Sequence, residues 1–338
     1  VEVADPALAQ RETRDRYLLR SLAEEAITSS QLEGASTTRK VAKEMLLTGR
    51  APRTKDERMI ANNFRGMEFV RTQVDEPITR AGLLRLHEIL TEGTLEEADV
   101  GRFRRADELV NVVDHADGSV LHMPPSAEQL PQRLDALLAF ANGGDEAPFV
   151  HPIIRAITVH FGLAYEHPFV DGNGRTARAL FYWSMLRSGY WMAEFLSISR
   201  VLKKAPAQYS RAFLLTETDD GDLTYFLLHQ LSVLQTAIKD LHSYLARKAE
   251  QLKEADALIS SESGFNHRQR TLLADAVRHP SARYTIEAYR RQYGVVYQTA
   301  RADLLGLAEA GLLKKIQIGK AFHFEVIPEL ERTLKRRR

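Results

Sequence analysis

Along most of the chain, apolar residues recur three and four positions apart, the spacing that gathers them on one face of a helix. Between Tyr17 and Ile27 the positions Leu18, Leu19, Leu22, Ala26 and Ile27 follow it, which predicts an amphipathic helix continuing toward Glu33 and stopping at Gly34. Further helices are expected over 38–47, ending before Gly49 and Pro52, over 55–74, and over 79–93 starting at Thr79. The period then changes. Segments 109–113 and 120–123 flank the polar run Asp114-His115-Ala116-Asp117-Gly118-Ser119, which predicts a β-hairpin closed by Pro124 and Pro125. Helical spacing resumes over 127–141, 149–166, 174–188 and 206–217. Asp222 is the expected N-cap of a long helix reaching about Ala257. Its stripe of Phe226, Leu227, Leu231, Leu234, Ile238, Leu241 and Leu245 thins into Lys, Glu and Ala, as in a connector, and 260–264 reads as a linker. Beyond it, helices near 267–277, 285–293 and 297–310, a turn at Gly294 and a two-stranded wing over 312–326 turning at Gly319 follow the order of a winged helix-turn-helix. The expected fold class is mainly α. The expected division is an amino-terminal helical region (1–78), a core (79–220), a connector helix and linker (221–264) and a small winged-helix domain (265–338).

Composition narrows the chemistry. With 338 residues, 44% of them hydrophobic, the chain can fill two or three packed domains. Lys plus Arg (46) nearly balance Asp plus Glu (45), so any basic site must be local, apart from a short basic tail at 335–338. The absence of cysteine excludes disulfides, thiolate zinc sites and cysteine nucleophiles, and fits a reducing compartment. Residues 1–10 lack the apolar core of a signal peptide, and no run approaches the length that spans a bilayer. A cytoplasmic protein without a membrane partner is expected.

The densest chemistry lies in residues 167–178, His-Pro-Phe-Val-Asp-Gly-Asn-Gly-Arg-Thr-Ala-Arg. A glycine loop opening a helix directs unpaired backbone N–H groups and the positive helix end at one point, which favours phosphate oxygens. Gly172 and Gly174 permit close approach, and Arg175 and Arg178 supply two permanently charged forks. Asp171 alone makes a poor metal cage, but Mg2+ carried on nucleotide phosphates often takes one protein carboxylate. His167 has the intrinsic basicity to take a proton from an attacking hydroxyl. No Gly-Lys-Ser/Thr ending makes this a P-loop, and the helix before it excludes a dinucleotide fingerprint. His-Pro alone is usually a loop, and Asp-Gly-Asn-Gly alone a tight turn; it is their conjunction that points to a site. His160, one helix earlier, reads as a structural hydrogen-bonding histidine, and Trp183 and Trp191 as core or rim aromatics.

The string resembles the signature of the Fic (filamentation induced by cyclic AMP) family, His-Pro-Phe-x-Asp/Glu-Gly-Asn-Gly-Arg-x-x-Arg, at every defined position. The resemblance implies a Fic helical core with the hairpin as its flap, and transfer of AMP from ATP to a Ser, Thr or Tyr hydroxyl of a protein, self-modification included. It implies His167 as general base and Asp171 as the Mg2+ ligand. Nucleotide contacts would come from Gly172, Asn173, Gly174, Arg175 and Thr176, with Arg178 on the γ-phosphate and Phe169 anchoring the loop. The kinase-like Doc branch has Lys at the place of Gly174, so AMP transfer is expected over phosphorylation. Gln208-Tyr209 stands where many relatives carry Tyr-Tyr beside the nucleotide, leaving Tyr209 as a further nucleotide contact, and Thr216 stands where they often carry Asn. A protein substrate is expected to add a strand along hairpin 109–123.

Upstream, Ser29-Ser30-Gln31-Leu32-Glu33-Gly34 resembles the family's inhibitory Ser/Thr-x-x-x-Glu-Gly/Asn motif in its amino-terminal position. That implies Glu33 pairing with Arg178 in place of the γ-phosphate, and Ser29 fixing the inhibitory helix. The alternatives are removal of AMP at the same site, and a DNA-binding regulator with a Fic sensory core. In the latter, Tyr297, Gln298, Thr299 and Arg301 would open the recognition helix, with Lys314, Lys315 and Lys320 near the wing, so that 265–338 contacts DNA or protein. A homodimer is a further expectation.

Overall fold

The computed structural model describes residues 11–108, 110–113, 118–143, 148–261, 264–318 and 321–336. Residues 1–10, Leu109, the turn residues Asp114 to Asp117, Gly319 and Lys320 of the wing and the last two residues of the tail lie outside the described residues. The chain divides into two compact units, Tyr17–Leu241 and the described residues of Val1–Arg16 and His242–Arg338.

In the first unit, whose first and last helices run past its bounds, α1 (Arg11–Leu32), α2 (Arg39–Thr48), α3 (Lys55–Thr72) and α4 (Arg80–Thr91) follow the apolar periodicity. Their starts obey capping chemistry. The Thr54 hydroxyl accepts the Glu57 N–H at 3.1 Å and Thr79 accepts that of Gly82 at 3.0 Å, each satisfying an otherwise orphaned donor. β1 (Val112–Val113) and β2 (Val120–His122) form the expected antiparallel hairpin, with Val112 opposite His122. α5 (Leu130–Asn142), α6 (Pro152–Glu166), α7 (Asn173–Arg187), the short α8 (Ile198–Leu202), α9 (Pro206–Thr218) and α10 (Thr224–Ser261) complete the order. The Asp222 carboxylate accepts the Thr224 N–H at 2.9 Å and starts α10 as expected.

α7 is the centre of this unit. Its run Ala-Leu-Phe-Tyr-Trp-Ser-Met-Leu is apolar on all sides, which suits only a helix enclosed on all sides. Every residue from Arg175 to Leu186 is buried, packed chiefly on α6 and also on α3 and α4. Because the phosphate-type loop opens this helix, the loop sits on a rigid internal support.

Several elements differ from the sequence expectation. Single 3-10 turns at Glu97–Asp99, Ala127–Gln129 and Trp191–Phe195, together with α8, are too short to show a period. Ser260 and Ser261, read as linker, are the last residues of α10.

In the second unit, α11 (His267–Arg278), α12 (Ile286–Tyr293) and α13 (Tyr297–Glu309) accompany β3 (Arg283–Thr285), β4 (Leu313–Ile318), β5 (Ala321–Val326) and α14 (Leu330–Arg336). The wing pair is joined by β3 into an antiparallel sheet of order β3-β5-β4, and both β3 and α14 are additions to the expected pattern. Leu273, Leu304, Leu307 and Phe324 form its core. Asn266 and Gln269 close a reciprocal capping box on α11. Among the described residues, no helix is long and apolar enough to cross a membrane.

Candidate active site

His167 ends α6 with φ 45°, a left-handed cap that side chains other than glycine adopt at a cost of about 1–2 kcal/mol. The bend is held from several sides. The His167 N–H donates to the Leu163 carbonyl at 3.1 Å, and its own carbonyl accepts Arg104 Nε at 2.9 Å. Arg104 also donates to the Pro125 carbonyl at the exit of the hairpin, and its N–H to the Pro168 carbonyl at 2.8 Å. The turn places the His167 ring with Nδ1 3.2 Å from the Ala164 carbonyl, which can only accept. Nδ1 therefore carries the proton, and Nε2 presents a lone pair. Burial pushes the His167 pKa below its ordinary value, partly offset by the Ala164 contact, which favours the neutral ring.

The loop after it is closed by its own side chains. The Asn173 amide accepts the Phe169 N–H at 2.9 Å and donates to the Phe169 carbonyl at 2.8 Å, bracing the turn rather than reaching outward. Gly172 caps α7 at φ 85°, and a Cβ there would meet Thr91 Cγ2 at 3.0 Å, so only glycine fits. The Thr176 hydroxyl donates to the Gly172 carbonyl at 2.8 Å in the interior, closing the first turn of the helix on itself. Arg175 is enclosed as well, and its guanidinium donates to the Leu90 carbonyl at 2.8 Å and stands 3.8 Å from Asp171 Oδ1, which supports the loop from within. Asp171 is the exposed member, its side chain 53% accessible, with Oδ1 accepting the Gly172 N–H.

His87 has no sequence signal, yet it pins this loop. The Gly101 N–H donates to Nδ1 at 3.1 Å and Nε2–H donates to the Asp171 carbonyl at 2.9 Å, a pattern that needs the neutral ring. The ring stacks on Phe169 with centroids 3.7 Å apart, and burial lowers its pKa to about 4. Between about pH 6.5 and 4 the unfolded chain therefore binds a proton that the folded chain excludes, so this part of the stability falls as pH falls. The contribution is about 3 kcal/mol across the window. The melting temperature of His87→Gln is expected to decline less steeply with acid than that of the parent; parallel declines would contradict the assignment.

The amino-terminal helix completes the site. Arg178, 2% exposed on α7, donates Nε to Ser29 Oγ at 2.8 Å, and Nη2 to the Ser29 carbonyl at 3.0 Å and Glu33 Oε1 at 2.8 Å. Burial opposes the charge, but Glu33 raises the Arg178 pKa overall. The same carboxylate lies over the loop, because a Cβ built on Gly174 would sit 2.3 Å from Glu33 Oε1. An anion supplied by the protein thus rests against the N-terminus of α7, where dipole and orphan N–H groups favour one. Gly174→Ala should evict that carboxylate at a cost of about 1.5–3 kcal/mol for the lost charge-assisted bond, and cost little once Glu33 is Gly. Equal costs in both backgrounds, by chemical denaturation, would contradict this overlap.

Tyr209 lies behind Arg178, its hydroxyl 2.7 Å from His160 Nε2, and burial pushes its pKa up to about 12. His160 is held at about 3 by burial, the neutral structural histidine its place in the sequence suggested. Trp183 is buried in the core, and Trp191 is half exposed. Thr216 is buried, and its hydroxyl meets no hydrogen-bond partner among the described residues. Glu25, also unanticipated, anchors α1 one turn before Ser29. Its buried carboxylate accepts from the Ser197 hydroxyl at 2.9 Å, the Ser199 N–H at 3.1 Å and the Ser199 hydroxyl, with the pKa raised by burial. Among the described residues no cluster of three or more His, Cys, Asp or Glu could hold a metal by itself. The lone accessible Asp171 suits Mg2+ that arrives on phosphate.

Residues 77–185 match the sequence profile of the Fic/DOC family. A protein adenylyltransferase Fic of Nematostella vectensis is 32% identical over 118 residues, 35% of this chain and 25% of that protein. One of Drosophila mojavensis is 28% identical over 189 residues, 56% of this chain and 33% of that protein. The matches thus span a quarter to a third of these relatives. Among solved structures, a Fic family protein from Desulfovibrio desulfuricans G20 superposes with TM-score 0.60 at 20% identity, covering 97% of this chain and 91% of the other. Fic-1 from C. elegans superposes with TM-score 0.54 at 20% identity, covering 74% and 68%. These likenesses fix the fold.

Proposed function

We propose, from the premise that this chain is a Fic family protein, that it transfers AMP from ATP to a side-chain hydroxyl of a protein and that Glu33 restrains it. The observation that carries the reading is the seat of Glu33: its carboxylate is bonded to Arg178 and lies against Gly174 at the opening of α7. A phosphate needs that same combination of helix N-terminus and arginine. In the reaction, the target hydroxyl oxygen attacks the α-phosphorus while His167 Nε2 takes its proton. The bond to the oxygen bridging α- and β-phosphorus breaks, and pyrophosphate leaves. The N–H groups at the start of α7 receive phosphate oxygens, and Arg178 neutralises the γ-phosphate once Glu33 withdraws. Mg2+ held by Asp171 would offset the charge of the phosphate chain when bound. Asn173, Thr176 and Arg175 keep the loop in shape beneath the nucleotide, and Tyr209 backs Arg178.

The hairpin supplies the place for the target. Met123 is 73% exposed, Val120 and Leu121 are also exposed, and among the described residues the ribbon has two strands, β1 and β2, beside which an extended segment can add. The second unit reads as a winged helix. Exposed Val296 and Tyr297 at the start of α13 favour its use as a contact surface, for DNA or for protein. Incubation with ATP labelled at either the α- or the γ-phosphorus tests the reaction: label should reach protein from the α-position alone. Label from the γ-position would mean phosphorylation and overturn the reading.

A further inference from the structure

His122 closes β2, and its ring turns inward, 8% exposed, while the residues on either side face solvent. Its Nδ1 stands 2.6 Å from Glu217 Oε2 on α9, and its Nε2 stands 2.7 Å from the Tyr165 carbonyl on α6. Both partners are acceptors. A neutral imidazole has one N–H, and would leave a lone pair facing an acceptor; beside an ionised Glu217 only the doubly protonated ring satisfies both. The ring also lies beside His167, with centroids 6.5 Å apart.

We infer that His122 is carried as an imidazolium and acts as a positioning residue, fastening the hairpin to α6 and α9 and keeping His167 free of a proton by like-charge repulsion. The groups facing it agree. Burial opposes its charge, but Glu217, the Tyr165 carbonyl and the more distant Glu166 together raise its pKa above the ordinary histidine value. On the other side, burial, His122 and Arg104 disfavour a charged His167, while the Ala164 carbonyl and Glu33 oppose them in part, and the net direction is downward. Two neighbouring histidines are thus pushed apart, one to hold a proton and one to accept it, the arrangement that acid–base chemistry near neutral pH requires. The same ring ties the strand on which a target would pair to the end of the helix that carries His167. Neither Glu217 nor His122 belongs to the sequence motif, and they are 95 residues apart.

The role in catalysis rests on the proposed AMP transfer; the protonation state does not. The test is a 15N NMR titration of the imidazole groups in the full chain, with Glu217→Gln as comparison. His122 should keep both N–H groups at neutral pH and lose one in Glu217→Gln, while His167 then binds its proton at higher pH. In the Glu33→Gly background, His122→Gln should move the acid limb of kcat/KM for AMP transfer to higher pH. At low ionic strength, activity at the acid end should fall about threefold relative to the alkaline plateau, the effect of one unscreened charge at this separation in water. A His122 ring with one N–H at neutral pH would overturn the inference, and so would an unmoved acid limb in a folded variant. If His122→Gln does not fold, Glu217→Gln, which keeps an acceptor oxygen, is carried through the same profile. A doubly protonated His122 in a chain that transfers no AMP would uphold the protonation and overturn the activity.

Discussion

His167→Ala, placed in the Glu33→Gly background, is expected to lose about two to four orders of magnitude in AMP transfer while its affinity for ATP changes little. The expectation follows from the ring's surroundings. Nδ1 is committed to the Ala164 carbonyl, so the only base the ring can offer is Nε2, and burial disfavours a proton on that nitrogen. None of the contacts that shape the phosphate seat runs through this ring: Asn173, His87 and Arg175 hold the loop, and Arg178 stands apart on α7. Alanine at a left-handed φ costs some stability, so a melting curve and a calorimetric ATP titration accompany the rate assay. Transfer persisting at more than about a tenth of the parental rate would remove His167 from the base role.

Glu33→Gly alone should raise transfer by about tenfold to a hundredfold over the unmodified chain, the ratio that corresponds to a lost charge-assisted bond of about 1.5–3 kcal/mol. The proposed restraint would be electrostatic and steric together, since one carboxylate both pairs with Arg178 and covers Gly174. Glu33 keeps 28% of its side chain accessible, so it is held by this pair rather than enclosed, and a competing polyphosphate can reach it. Ser29 is enclosed more deeply, and it keeps Arg178 aimed at the same point after Glu33 has gone. Glu33→Gln separates the two effects, because it keeps the volume and removes the charge. A rate for Glu33→Gly no higher than that of the parent would show that α1 does not restrain the site.

How much of this was legible in the sequence depends on how local the signal is. The helices of the first unit begin at threonines whose hydroxyls accept the expected N–H groups, and α7 is recognisable because its apolar residues leave no polar face. The loop glycines and His167 are legible for the same reason: a positive φ and a helix N-terminus are matters of a few adjacent residues. What was not legible is what reaches across the fold. His87 meets Asp171 over 84 residues, Arg104 meets His167 over 63, and Glu25 meets Ser199 over 174, with no spacing rule to announce any of them. Arg175, Asn173 and Thr176 are instructive in another way. The motif names them as part of the loop, but residue type alone does not say whether a side chain faces outward or braces the loop from behind. Short elements escape for want of length: β3 has three residues and α8 five, less than the periods they would need to display.

The central claim is that one arginine and one helix N-terminus serve either Glu33 or the phosphates of ATP. The most direct measurement is the intact mass of the Glu33→Gly chain and of a mixed protein lysate after exposure to ATP and Mg2+, beside the unmodified chain. The account predicts products heavier by one AMP moiety in Glu33→Gly, far fewer with the unmodified chain, and none in Glu33→Gly carrying His167→Ala. No AMP adduct from any of them, or an increment of a single phosphate, would contradict it.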